Sequence, residues 1–196
     1  MKTNLKLRAV VAPTPTVVAA AYDENGKADA CTLAFAMPSS HKPPCVTVAI
    51  NATQRRKTLA SILHSGAFTV NYPSLSQVEQ ADYLGVESGY DADKLAAIGY
   101  TVTRGAASGA PIIDQMPLAL ECKVVHTATV GSHAQVTGEI VNICADADVV
   151  GKNGKIDLDK LSPIIYDEEA LAYRSVGPKA SDAFRPGAAL RKQLKH

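Results

Sequence analysis

Short apolar runs, broken by clusters of Gly, Pro, Asn and Asp, set the rhythm of this chain. Val17–Tyr22 is Ala-rich and β-branched, and Asp23-Glu24-Asn25-Gly26-Lys27 follows it. Asn-Gly between two apolar runs predicts a tight hairpin, because both residues tolerate positive φ. The return strand is expected over residues 29–36. Met37-Pro38-Ser39-Ser40 and His41-Lys42-Pro43-Pro44 then break the pattern, and because proline cannot donate to a sheet ladder they read as a loop or a strand end. A third strand is expected over residues 46–51.

The period then changes. Over Lys57–Ser65, Leu59, Ile62 and Leu63 share one helical face, and Gly66 stands at the expected stop. A fourth strand over residues 68–71 ends at Pro73. Ser74 and Gln77 have capping-box spacing for a second helix reaching about Leu84. Asp91 is the candidate cap of a third helix, closed by Gly99. Long strand-like runs return at residues 118–129 and 134–145, around a Gly131-Ser132-His133 turn. Lys152-Asn153-Gly154-Lys155 is another turn, and residues 164–166 form a brief apolar stretch. From Pro178 the chain is polar, which suits a surface segment or a partner-wrapping tail.

These elements amount to six or seven strands with two or three short helices inserted between them. Helices grouped in the middle, instead of alternating with each strand, favour a mainly β, α+β chain or an antiparallel barrel over a doubly wound sheet. At 196 residues, and without an interdomain linker or repeat, the chain reads as a single domain.

Composition narrows the functions. Twenty Lys and Arg against 19 Asp and Glu leave no long-range field for nucleic acid or an anionic membrane. There is no Trp, so the aromatic-and-basic stripe of a single-strand binder is missing. Cys31, Cys45, Cys122 and Cys144 are far apart in sequence and sit in apolar runs, which suits reduced structural thiols and not a metal site. Lys2, Lys6 and Arg8 ahead of the apolar residues 9–21 have the layout of a secretion signal. Pro13 and Pro15 interrupt that run where a signal needs a continuous helix, so the expected location is cytoplasmic, without membrane attachment.

The chain has no GxSxG, HExxH, GxxxxGK[ST] or GxGxxG motif, and its five histidines are scattered. Two segments remain. Thr53-Gln54-Arg55-Arg56-Lys57-Thr58 opens a helix after a buried strand, where hydroxyls, cations and free N–H groups suit a phosphate monoester; a solvated basic cap is the plainer alternative. In Thr32-Leu33-Ala34-Phe35-Ala36-Met37-Pro38-Ser39-Ser40, small residues at a strand end would let a flat ring approach the backbone; plain strand packing is the alternative.

These segments carry a resemblance. The stretch from Thr14 to Asn51, with its Gly-Lys turn, mid-strand Thr, Pro-Ser segment and Pro-Pro pair, resembles the opening of the flavin reductase-like, FMN-binding split-barrel family, flavoredoxins in particular. RKTLASILHSGAFTVNYPS, SGYDADKL, MPLALECKVV and VGSHAQVTGEIVNI are similar to four further segments of that family, in order, so that the resemblance spans about residues 13–177. It implies a split β-barrel, FMN as cofactor and a homodimer with the flavin near the interface.

By that resemblance Thr32, Leu33, Ala34, Met37, Pro38, Ser39 and Ser40 line the ring and ribityl chain, while Asn51, Arg56, Lys57 and Thr58 hold the phosphate. Ser88, Gly89 and Lys94 come from a loop over the flavin, Asn71 orders the site, and His133 is the candidate catalytic residue. Departures from the family pattern are Asp29 for Asn, Phe35 for Trp, Lys57 for Tyr, and Ser132 for the Asp beside His133. The last removes a carboxylate that an acid/base role for His133 would use. The implied activity is an FMN oxidoreductase, taking electrons from NAD(P)H or a reduced partner and passing them to a small molecule or redox protein. An electron carrier without NAD(P)H activity, or a flavin-binding module without catalysis, stands as the alternative.

Overall fold

The structure, a computed structural model, describes residues 1–9 and 13–194. A two-residue strand, β1 (Thr14–Pro15), leads into β2 (Val17–Tyr22) and β3 (Ala28–Leu33), which form the expected hairpin with Gly26 at φ 73°. Asp23 Oδ1 accepts from the N–H groups of Asn25 and Lys27 at 3.0 and 2.8 Å, which pins the turn. The return strand ends at Leu33, three residues earlier than the pattern suggests. After Ala34 and Phe35 a new strand begins, β4 (Ala36–His41), hairpinned to β5 (Pro44–Asn51). The Met37–Ser40 segment is therefore strand and not loop. Pro38 is tolerated because β4 is an edge, and its pairing slips between Pro38 and Ser40.

Helix α1 (Lys57–Ser65) follows and stops at Gly66, whose φ of 67° only glycine adopts cheaply. Then come β6 (Ala67–Tyr72), a short 3₁₀ turn, α2 (Val78–Val86) and α3 (Lys94–Ala97). Gln77 Oε1 accepts from Ser74 N–H at 2.9 Å, the reach-back that the spacing predicts. Asp93, and not Asp91, caps α3, accepting from Ala96 N–H at 3.3 Å. A small hairpin, β7 (Val102–Arg104) with β8 (Pro111–Ile113), has no clear signal in the sequence. The two long strands are β9 (Leu118–Val130) and β10 (His133–Ala145), with His133 already inside the strand. After α4 (Leu158–Leu161), β11 (Ile164–Asp167) pairs with both β1 and β12 (Ala172–Ser175). The exposed tail contains a helix, α5 (Arg185–Gln193), where the sequence suggests only a polar arm.

The main sheet has seven strands in the order β3-β2-β6-β9-β10-β5-β4, antiparallel throughout. It curls so that Val17, Ala19 and Ala21 of β2 meet Val46, Val48 and Ile50 of β5 in one core, with Leu59 and Ile62 of α1 closing one end. The other face of β2 is buried as well: Val18 and Ala20 pack on Leu84, Leu95, Ile113 and Met116. Two packed faces explain why β2 is apolar at every position and does not alternate. Burial of Val17–Ala21 in the sheet also accounts for the apolar run that has the look of a signal; residues 10–12 of that stretch lie outside the described residues.

Candidate functional site

The interruption at Ala34 and Phe35, between β3 and β4, faces the end of β5 and opens a groove of about 250 Å³. Its lining brings together Thr32, Leu33, Ala34, Asn51, Arg56 and His133, six residues singled out from sequence. They converge because β3 and β5 both end at this mouth. Ala49 N–H also donates to Phe35 O at 2.9 Å, tying the interruption to β5. His133 pairs in register with Asn51, and its ring lies 5.3 Å from that of Phe35. Ser132 Oγ is 2.9 Å from His133 Nδ1, so the residue replacing a carboxylate still fixes the imidazole.

Arg56, the residue just before α1, lines the groove and brings the start of that helix to its edge. No side chain caps this helix, and no acidic residue lies in its first turn. Its first N–H groups therefore carry an uncompensated positive end. Asn51 Oδ1 shapes the approach by accepting from Thr53 N–H, Thr53 Oγ1 and Gln54 N–H at 2.9, 2.9 and 3.0 Å. The Arg56 guanidinium is held by Gly85 O at 3.3 Å and Gln54 Oε1 at 2.8 Å, and Arg55 stacks 4.0 Å over Tyr90. A donor set of this kind suits a phosphate monoester.

A second hollow of about 310 Å³ adjoins the first and shares Thr32, Leu33, Ala34 and Tyr166 with it. Buried Thr16 lines it, and its hydroxyl has no hydrogen-bond partner among the described residues. Together the two hollows reach the size of a small-molecule site, about 300–1,000 Å³. Tyr173 donates to Asp82 at 2.8 Å in this hollow; burial, with that carboxylate, pushes its phenol above the ordinary value.

Other expected site residues have different neighbours. Met37 borders an adjacent apolar hollow of about 460 Å³ with Phe35 and Ala36. Pro38, Ser39 and Ser40 lie further along exposed β4, outside the groove lining. Lys57 turns from the helix start to pair with Asp23 at 3.0 Å. The Thr58 hydroxyl is buried and donates to Asp29 at 2.5 Å. Lys94 is buried against the same carboxylate, and Gly89 closes over it. Ser88 Oγ accepts from Tyr90 N–H at 3.2 Å within its own loop. Asn71 joins strands, donating to Val18 O at 3.0 Å and accepting from Ile113 N–H at 3.1 Å. Tyr166 and Glu168 line the groove without having been singled out; they come from β11 and its edge, far along the chain, and no local signal marks them. Among the described residues no group of His, Cys, Asp or Glu is placed to hold a metal, and no helix is long and apolar enough to cross a membrane.

An antiparallel barrel, split at one mouth, with an anion-ready helix start under that mouth, defines a class of cofactor-binding barrels. In overall fold the chain is similar to flavoredoxin of Desulfovibrio vulgaris (Miyazaki F), at TM-score 0.89 and 32% identity over 95% of this chain and 100% of that one. Flavoredoxin from Methanosarcina acetivorans gives 0.90 and 28% over 97% and 99% of the two chains. In sequence, the chain is 30% identical over 154 residues to Escherichia coli (strain K12) YddH, covering 76% of this chain and 80% of that one. The flavin reductase like domain matches residues 9–173, and the chain belongs to that family.

Proposed function

We infer that the chain binds FMN in this groove and acts as an oxidoreductase, taking electrons from NAD(P)H or a reduced partner and passing them to a small molecule or redox protein. The observation that carries this reading is the meeting of the uncapped α1 start and Arg56 with the strand end at Thr32–Ala34. Arg56 and the first N–H groups of α1 would hold the phosphate. Backbone groups at Leu33 and Ala34 would take the polar edge of the ring, beside Phe35 and His133. A bound flavin supplies electron transfer in ones and twos. The protein's part is to orient, to exclude water and to handle protons. His133, fixed by Phe35 on one side and Ser132 on the other, is the group at the wall whose ring nitrogens can donate or accept a hydrogen bond at a bound ring.

Similarity to two flavoredoxins, at 32% and 28% identity, supports a second reading as an electron carrier without NAD(P)H activity. Absorbance and stopped-flow mixing separate the readings. Protein incubated with FMN and dialysed should keep the yellow flavin band; colourless protein overturns FMN binding. Loss of that band within seconds of anaerobic mixing with NADH or NADPH supports the reductase, and an unchanged band supports the carrier.

A further inference from the structure

Behind the groove lies a buried ion pair that the proposed chemistry does not use. Asp29 and Lys94 are each only 4% exposed, with Nζ and Oδ1 3.9 Å apart. Asp29 Oδ2 also accepts from the hydroxyl of Thr58, in the first turn of α1, and Lys94 Nζ donates to Leu84 O at 3.2 Å. Gly89 seals the carboxylate: a side chain there would begin 2.0 Å from Asp29 Oδ1. The pair is close to the groove itself. Cys31 lines the groove, and Asp29 stands two residues before it in β3, on the same face of the strand.

A lone carboxylate in that place would oppose an anion at the start of α1. It would repel the anion directly and offset the positive end of the helix. Being buried, it would be screened little by salt. Yet the carboxylate has a structural use, since it receives Thr58 and so fixes the first turn of α1. Lys94 is the cation placed to cancel its charge, and it does so without lining the groove.

We propose that Lys94 is a positioning residue which, acting through Asp29, preserves the groove's preference for a phosphorylated flavin over its unphosphorylated counterpart. The proposal rests on the reading that the α1 start takes the phosphate. Its test is the ratio of FMN to riboflavin dissociation constants in the wild type, Lys94→Met, Asp29→Asn and the double variant. Lys94→Met exposes the carboxylate's charge and should lower the preference for FMN on the order of five- to tenfold. Asp29→Asn keeps an acceptor for Thr58 but leaves Lys94 uncancelled, and should raise the preference by a similar factor. The double variant should return close to the wild type.

A merely structural role would weaken both ligands together and could not shift the two single variants in opposite directions. Shifts of the same sign, or an unchanged ratio in both single variants, overturn the proposal. If Lys94→Met does not fold, Asp29→Asn must still raise the ratio and the double variant must bring it back. A wild type that does not prefer FMN to riboflavin overturns the underlying phosphate reading instead.

Discussion

At the start of α1 neighbouring residues turn to different sides: Arg56 lines the groove, Lys57 pairs with Asp23, and Thr58 is buried against Asp29. Arg56→Ala should therefore weaken FMN by roughly tenfold or more while changing riboflavin little, since its proposed partner is the phosphate and a charge-assisted bond would be lost. Isothermal titration with both ligands checks this, and equal loss for the two removes the assignment. The sequence shows the cluster of cations but not which of them face the ligand, because Asp23 and Asp29 arrive from another hairpin. Glu121 is the other residue whose environment decides its role. It is fully buried, with donors from Ser108 N–H at 2.8 Å, Ala107 N–H at 3.0 Å and Asn142 Nδ2 at 2.8 Å. Burial alone would raise its pKa, but the Asn142, Ser108 and Ala107 donors outweigh burial and hold the carboxyl below the ordinary range. A lowered folded value stabilises the protein above the unfolded carboxylate pKa and loses that contribution as pH falls through the folded one. Urea unfolding should show that loss on acidification, and Glu121→Gln should abolish this part of the pH slope while costing about 2–4 kcal/mol at neutral pH.

Among the elements, β10 carries the tightest constraint. Its pairing with β9 shifts between Thr137 and Gly138, where a side chain would begin 2.6 Å from the Phe68 ring and 2.8 Å from Cys122 Cβ. Gly138→Ala should destabilise the barrel by about 1–3 kcal/mol through overpacking, read as a lower midpoint in chemical denaturation. A variant as stable as the wild type would show that Phe68 can move aside. Elements with strong local chemistry were legible in the sequence: the Asn25-Gly26 hairpin, the Gly66 stop of α1 and the Ser74–Gln77 reach-back. What was not legible depended on distant partners. β4 is a strand because β5 offers it an edge, against the local message of Pro38. The β7–β8 hairpin exists because Thr69 Oγ1 and Asn71 anchor it, through Pro111 O at 2.5 Å and Ile113 N–H.

At the scale of the whole molecule, two surfaces stand uncovered. Phe35 and Met37 are exposed beside the apolar hollow next to edge strand β4, and α5 presents Leu190 to solvent between exposed Phe184 before the helix and exposed Leu194 after it. A homodimer covering the groove mouth is the proposal these surfaces support. Light scattering should then give twice the chain mass of 20.6 kDa, and a result at 20.6 kDa removes it. The groove itself gathers residues from β3 through to Glu168, with Arg8 tied to Glu169 just beyond. A chain still emerging from the ribosome thus has no complete groove until β11 has been made and has paired with β1. On the proposed reading, FMN loading waits for β11 and not for the seven-strand sheet alone, and a ligand that enters then raises the melting temperature of early and late segments as one unit.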